Sequence, residues 1–438
     1  MQKTLHLISL GCTKNLVDSE VMLGRLANYK IIEQASEADV IIINTCGFIE
    51  AAKQESLGKI FNAHSVRKKD SVLVVSGCLS ERYYDELREQ IPEIDIITGV
   101  GDYDKIDEMI ESKRSLRSNK VFLANETHSR VVANSRFHAY IKLSEGCNQQ
   151  CSFCAIPHFK GKLHSRTLDS VIKELEILYN QGFRDFSLIA QDSSSFLRDL
   201  GVKNGLSRLI KRIDSLKLPI TVRILYLYPS TADENLIESI ANSSSFLPYF
   251  DMPLQHITNP MLKVMNRGAN KAQHLKLLEL MDSIKGRFLR TGFIIGHPQE
   301  SERDFSELCE FVQGFNFDRI NAFEFSPQEG TKSFTMPALN SKVVKHRVKV
   351  FENLIKQKHK HTLKNLLGGQ FEVIIEGRSE FSEHFYTARA RLWAKDIDGS
   401  ILINEVANNV PIKECAYQCE ITQIKDEFIF GKVLSLSL

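Results

Sequence analysis

Three cysteines fall within eight residues of the stretch EGCNQQCSFCAIP, where Cys147, Cys151 and Cys154 have the spacing C-x3-C-x2-C. Thiolates are soft donors for zinc and for iron–sulfur clusters, and a site closed by protein alone wants four of them. Three thiolates hold three irons of a four-iron cubane and leave the fourth iron open to another ligand. The alternatives are a zinc site completed by His158 or His164 and a scatter of buried thiols. Zinc knuckles usually pair one CxxC with a second pair.

Three more cysteines share a position rather than a spacing. LHLISLGCTKN leads into VDSEVMLGRL, ADVIIINTCGF into IEAAKQESLGKIF, and SVLVVSGCLS into ERYYDELREQI. Each unit is a short apolar run, a cysteine beside glycine, then helical periodicity: a βα unit with its cysteine at the strand's end. Strands alternating with helices imply a parallel sheet, whose ligand sites form beyond the carboxyl ends of the strands. Cys12, Cys46 and Cys78 are therefore expected to converge. One such cysteine reads as a small buried hydrophobe; three at equivalent places read as a second site.

The elements that position these residues follow the same alternation. Between about residues 137 and 340, HAYIKLS, FRDFSLIAQD, ITVRILYLYP, PYFDMPLQH, FLRTGFIIGH and DRINAFEFS read as strands separated by amphipathic segments. Six βα units suggest an open or partial barrel, with the CNQQCSFC loop after its first strand, where parallel barrels place their chemistry. SKVVKHRVKVFENLIKQKHKHTLKNLLG carries eight Lys or Arg against one Glu and reads as a basic helix, by default a solvated face. From Gly369 short alternating runs indicate a small β-barrel, with seven Lys or Arg against eleven Asp or Glu, unlike a phosphate-binding surface. The expected fold is α/β in three parts: an N-terminal domain with a parallel sheet (1–130), a partial (βα)6 barrel (133–368) and an antiparallel β-barrel (369–438).

Length and composition set the limits. A chain of 438 residues, 43% of them apolar, can bury sizeable cores. No run approaches the roughly 18 apolar residues of a membrane span, so no membrane partner is expected. The apolar start of the chain is short, broken by His6 and Ser9, and similar to later strands, so it reads as a strand rather than an export signal. An odd count of nine cysteines in such a chain argues for reduced thiols and metal binding in the cytoplasm. The net charge of +2 implies no particular partner. Cys309, Cys415 and Cys419 read as packing residues.

CNQQCSFC resembles the signature of radical S-adenosylmethionine (SAM) enzymes, in which the open iron binds SAM. An electron from a reducing donor then cleaves SAM to a 5′-deoxyadenosyl radical that abstracts hydrogen from an unactivated carbon, and the protein supplies binding and orientation. SLGCTKNLVDSE, INTCGFIE, SGCLSERY, KLSEGCNQQCSFCAIP, DMPLQH, MNRG and the terminal barrel together resemble the methylthiotransferases, which convert C–H to C–S–CH3 with two SAM molecules. The resemblance implies a TRAM-like terminal barrel and two [4Fe-4S] clusters, one on Cys147, Cys151 and Cys154, the other on Cys12, Cys46 and Cys78 and carrying the inserted sulfur. It also implies that Phe153, Gly292, Ile294 and Gly296 flank the SAM adenine, and Arg223 and Gln255 are expected to contact SAM or substrate.

SLGCTKNLVDSE favours the branch that modifies the β-carbon of an aspartate in ribosomal protein S-twelve, free or in the small subunit. The rival of the same chemistry is the branch that modifies an adenosine of tRNA. A rival of another class is a non-catalytic iron–sulfur or zinc protein that binds ribosomes or RNA. Two departures from the family pattern stand out: HPQE replaces FPGE after Gly296, and Lys160 replaces an arginine in HFKG. The acidic terminal barrel is expected to dock a basic protein through Asp396 and Asp398, while the basic helix could contact ribosomal RNA.

Overall fold

The computed structural model describes residues 2–407, 410 and 413–437. An apolar run such as VIIIN can leave neither face in water, and it forms the centre of a covered parallel sheet. The strands β1 (Thr4–Ser9), β2 (Lys30–Ile31), β3 (Val40–Thr45), β4 (Val72–Gly77) and β5 (Ile96–Ile97) lie in the order β2-β1-β3-β4-β5. All six residues of β3 are buried. Helices α1 (Thr13–Arg25), α2 (Glu50–Val66) and α3 (Cys78–Arg82) follow β1, β3 and β4. The register sets Ser9 opposite Asn44 and Thr45 opposite Gly77, so the three strands end level and their cysteine loops share one edge.

The six strands expected in the middle of the chain all form. They are β6 (His138–Lys142), then, after the short antiparallel pair β7 (Ser144–Glu145) and β8 (His164–Ser165), β9 (Asp185–Ile189), β10 (Thr221–Ile224), β11 (Phe246–Asp251), β12 (Phe288–Ile295) and β13 (Arg319–Glu324). They pair in parallel in chain order, with β6 and β13 at the two edges, so the barrel stays open. Alternation along each strand divides the side chains between two cores. Ile141, Leu188, Val222 and Leu289 pack against helix residues such as Leu175, Ile210 and Ile237. Tyr140, Tyr249 and Phe288 face the other way, into a cluster with Trp393, Ala394 and Ile401 of the terminal barrel.

That terminal barrel consists of β14 (Gln370–Arg378), β15 (Tyr386–Ala390), β16 (Ile401–Val406), β17 (Ala416–Lys425) and β18 (Phe428–Leu436), closed in the order β14-β15-β16-β18-β17. Every pair is antiparallel except β16 with β18. A closed ring of five strands cannot alternate direction throughout, so one parallel pair is unavoidable.

The segment around residues 389–398 plugs the concave face of the open barrel, and it corrects two expectations. Arg223 is fully buried, pairs with Asp185 at 2.9 Å and donates to the carbonyl of Arg391 at 2.6 Å. It joins the two domains instead of reaching SAM. Asp398 is also fully buried, accepts from the Tyr249 hydroxyl at 2.8 Å, and is no docking residue; Asp396 alone of that pair is exposed. The basic helix runs Ser341–Lys364 and buries Val344, Arg347, Phe351 and Leu363, leaving Lys342, Lys345, Lys349, Lys356, Lys360 and Lys364 in water.

Asp185 accepts from both Arg223 and Arg389. Burial opposes its charge, but the two guanidiniums hold the carboxyl well below the usual carboxylate range. Such a group stabilises the fold above its unfolded pKa of about 4, and that contribution is lost as pH falls toward the folded value. Asp185→Asn should cost roughly 3–5 kcal/mol in urea unfolding at neutral pH, because the buried Arg223 loses its anion and Arg389 keeps only Glu376. The difference between variant and wild type should shrink below about pH 4.

Candidate active site

The first cysteine triad is held by the backbone of its own loops. Gly11 has φ +83°, and a Cβ there would stand 2.7 Å from the Cys46 Sγ, so only glycine lets the Cys12 loop cross Cys46. Cys46 is fixed by Ser56, whose hydroxyl accepts from its N–H at 3.1 Å and donates to its carbonyl at 3.0 Å. Cys78 opens α3, and its Sγ lies 3.7 Å from Asn15 Oδ1. The buried Asn15 amide then donates to the carbonyls of Leu10 and Thr45 at 3.1 and 2.9 Å. One side chain thus ties all three loops together. Burial pushes the Cys78 thiol up to about 12 and raises that of Cys46.

The second triad follows β6 at the carboxyl edge of the open barrel. The Cys147 N–H donates to Gly161 O, and the Cys154 N–H to Cys151 O, both at 3.1 Å. The MNRG loop clamps this turn from outside. Asn266 donates to Gln150 O at 2.6 Å, Ser152 N–H to Met265 O at 3.0 Å, and Arg267 to Cys151 Sγ at 3.2 Å. Arg267 also lies 4.2 Å over the ring of Tyr228, whose hydroxyl is 3.4 Å from the same sulfur. Burial lifts the thiols of Cys147 and Cys154 to about 12, so metal must displace their protons.

Among the described residues no three His, Cys, Asp or Glu side chains meet closely enough to hold a single ion. Cluster ligands bind separate irons and need not meet at one point. His158 and His164 are both exposed.

Of the remaining expected contacts, several gather here. Gln255, at φ +70°, bridges onto β12: its N–H donates to Gly292 O at 2.8 Å and its carbonyl accepts from Ile294 at 2.9 Å. Among the described residues its buried side-chain oxygen has no partner, nor has that of Gln191, so polar acceptors stand ready for a ligand. Phe153 lies edge-on to His297, 6.3 Å between ring centroids. Gly296 answers a different need: at φ +80°, a Cβ would stand 2.5 Å from Val344 of the basic helix. The missing Cβ makes room for protein. The HPQE departure is accommodated by His297, which hydrogen bonds Ser333 at 2.8 Å, and by Gln299, which takes φ +71°.

Between the triads lies a buried ionic group. Lys142 Nζ is 2.5 Å from Asp18 and 2.6 Å from Glu145, and Lys160 Nζ lies 3.6 and 3.7 Å from the same two carboxylates. All four side chains are at most 5% exposed. Despite burial, Lys142 and Lys160 hold Glu145 down to about 2. Lys160 therefore does contact anions, although they belong to the protein. Lys14 sits over the Tyr226 ring, 3.6 Å from its centroid.

Lys14 and Asn15 lie in CTKN and Arg267 in MNRG, and the signal for all three in the sequence is a polar side chain beside a cysteine loop or a motif. Asn15→Ala should lower the urea midpoint by the equivalent of about 2–4 kcal/mol, since two buried carbonyls lose their donor. Alkylation of Cys46 and Cys78 should quicken. An unchanged midpoint with unchanged alkylation would show that the loops hold without Asn15.

The chain matches the family UPF0004, described as an uncharacterized protein family, over residues 4–99 and the radical SAM superfamily over 141–312. It is 62% identical over 441 residues to the ribosomal protein uS12 methylthiotransferase RimO of Helicobacter hepaticus, covering 99% of this chain and 98% of that one. With the RimO of Wolinella succinogenes it shares 56% identity over 97% of each chain. Among solved structures, the radical SAM methyltransferase TsrM of Kitasatospora setae has the same fold at TM-score 0.55 and 15% identity, covering 76% of this chain and 74% of that one. OxsB, a cobalamin-dependent SAM radical enzyme, aligns at TM-score 0.52 and 11% identity over 81% of this chain and 56% of its own. With both cysteine triads in place and this identity over nearly the whole length, the chain belongs to the RimO family of radical SAM methylthiotransferases.

Proposed function

We propose that this enzyme methylthiolates the β-carbon of an aspartate in ribosomal protein uS12, in the cytoplasm, using two [4Fe-4S] clusters. The observation that carries the reading is the pairing of two cysteine triads, each at the carboxyl edge of a parallel sheet, across one buried ionic group. The near full-length likeness to RimO proteins named for uS12 supports the substrate. Cys147, Cys151 and Cys154 would hold the cluster that binds SAM, and Cys12, Cys46 and Cys78 the one that carries sulfur. When bound, cluster and SAM supply hydrogen abstraction from an unactivated carbon.

The chain's own residues do the positioning. Arg267 and Tyr228 fix Cys151. Asn15 and Ser56 fix the loops of the first triad. Phe153, Gln255, Gly292 and Ile294 line the carboxyl edge where SAM would lie. A reducing partner supplies the electron. The exposed lysines of the basic helix fit contact with ribosomal RNA when uS12 is met in the small subunit.

Anaerobically reconstituted protein should bind about eight irons if each triad supports a cubane. Cys151→Ala should lose about half of them and all cleavage of SAM to 5′-deoxyadenosine. Cys46→Ala should keep that cleavage and make no thioether. Mass spectrometry of uS12 and tRNA after reaction tests the substrate: a methylthio increment on uS12 is expected, and one on tRNA with uS12 untouched would assign the enzyme to the other branch.

A further inference from the structure

An aspartyl side chain brought between the triads must bury a carboxylate, and a buried carboxylate needs a cation. Most cations around this space are already committed. Lys142 and Lys160 face Asp18 and Glu145, Arg290 is 2.8 Å from Asp251, and Arg82 donates to Gly47 O at 2.6 Å. Arg267 is held by Cys151 and the Pro253 carbonyl.

Lys14 is different. Its ammonium rests on the face of Tyr226, and among the described residues it makes no ion pair or hydrogen bond. Lys14 stands two residues after Cys12, and the ring beneath its ammonium belongs to Tyr226, which follows β10 and is bonded to Asp251. Cys12 belongs to the first triad's loop, whereas Glu145, Tyr226 and Asp251 stand at the carboxyl edge of the open barrel. The ammonium therefore lies between the two sites. Tyr226 is fixed beneath it, at φ +63°, by its N–H donating to Asp251 at 3.1 Å.

We infer that Lys14 binds the carboxylate of the substrate aspartate and selects it over uncharged side chains. The inference rests on the proposed aspartyl substrate. A carboxylate on Lys14 leaves the β-carbon one bond away, free to face both triads. Tyr226 orients the ammonium without neutralising it.

The test compares binding of two forms of uS12 to reconstituted holoenzyme: the wild-type protein, and one in which the aspartate that wild-type enzyme modifies is changed to Asn. Wild-type enzyme should bind the Asp form roughly tenfold to a hundredfold more tightly, as a charge-assisted hydrogen bond requires. Lys14→Met should bind the two forms equally, and Lys14→Arg should keep the preference. Iron content is measured for each variant, with Lys14→Gln replacing Lys14→Met if the latter loses iron. An iron-replete variant lacking the ammonium that still prefers the Asp form overturns the inference while leaving the substrate reading intact. Wild-type enzyme that modifies no aspartate of uS12 overturns the substrate reading, and this inference with it.

Discussion

Two lysines and two carboxylates, almost wholly out of water, form ion pairs that join the loop of one cysteine triad to the loop of the other, with the lysines holding Glu145 charged while burial pushes the Asp18 carboxyl up. Asp18 comes from α1, whose first turn follows Cys12; Glu145 lies two residues before Cys147; Lys142 ends β6; Lys160 lies on the turn after Cys154. Each member is within six residues of a cysteine. Such a group is weak as net stabilisation, because desolvation offsets most of the attraction, but removing one partner strands a buried charge at about 3–5 kcal/mol. It therefore penalises any displacement of one triad relative to the other. Gln191 adds a hydrogen bond to Glu145 from the loop after β9.

The terminal barrel imposes a complementary constraint. Its segment between β15 and β16 fills the concave face through Tyr140, Arg223 and Tyr249, at the side away from the cysteines. Chemistry is left to the carboxyl edge, where the N-terminal sheet presents its own loops. The acidic count of the barrel consequently overstates its acidic surface: Asp398 is spent inside the molecule and Glu376 pairs with Arg389.

What the sequence made legible was local. Cysteines at the ends of three similar βα units, and six apolar runs between amphipathic helices, report on neighbours within one element, and those elements formed. What it left obscure was set by partners far apart in the chain. Asp18 and Lys142 are 124 residues apart, Tyr249 and Asp398 149, and Asp185 and Arg389 204. No periodicity encodes such pairings. Arg223 looked like a strand-end ligand because its partners lie on another strand and another domain. Gly296 looked like a cofactor cradle because the helix carrying Val344 lies 48 residues on. Lys160 showed only as a replacement for arginine because Asp18 and Glu145 are invisible beside it in sequence.

The claim that the ionic group fixes one triad against the other is tested most directly by the dipolar coupling between the two proposed clusters once both are reduced, measured by pulsed electron paramagnetic resonance in reconstituted wild-type and Lys142→Met enzyme. A single defined separation in the wild type, broadened or lost in the variant while both clusters keep their iron, is the expected result. An identical, equally narrow separation in both proteins would contradict it.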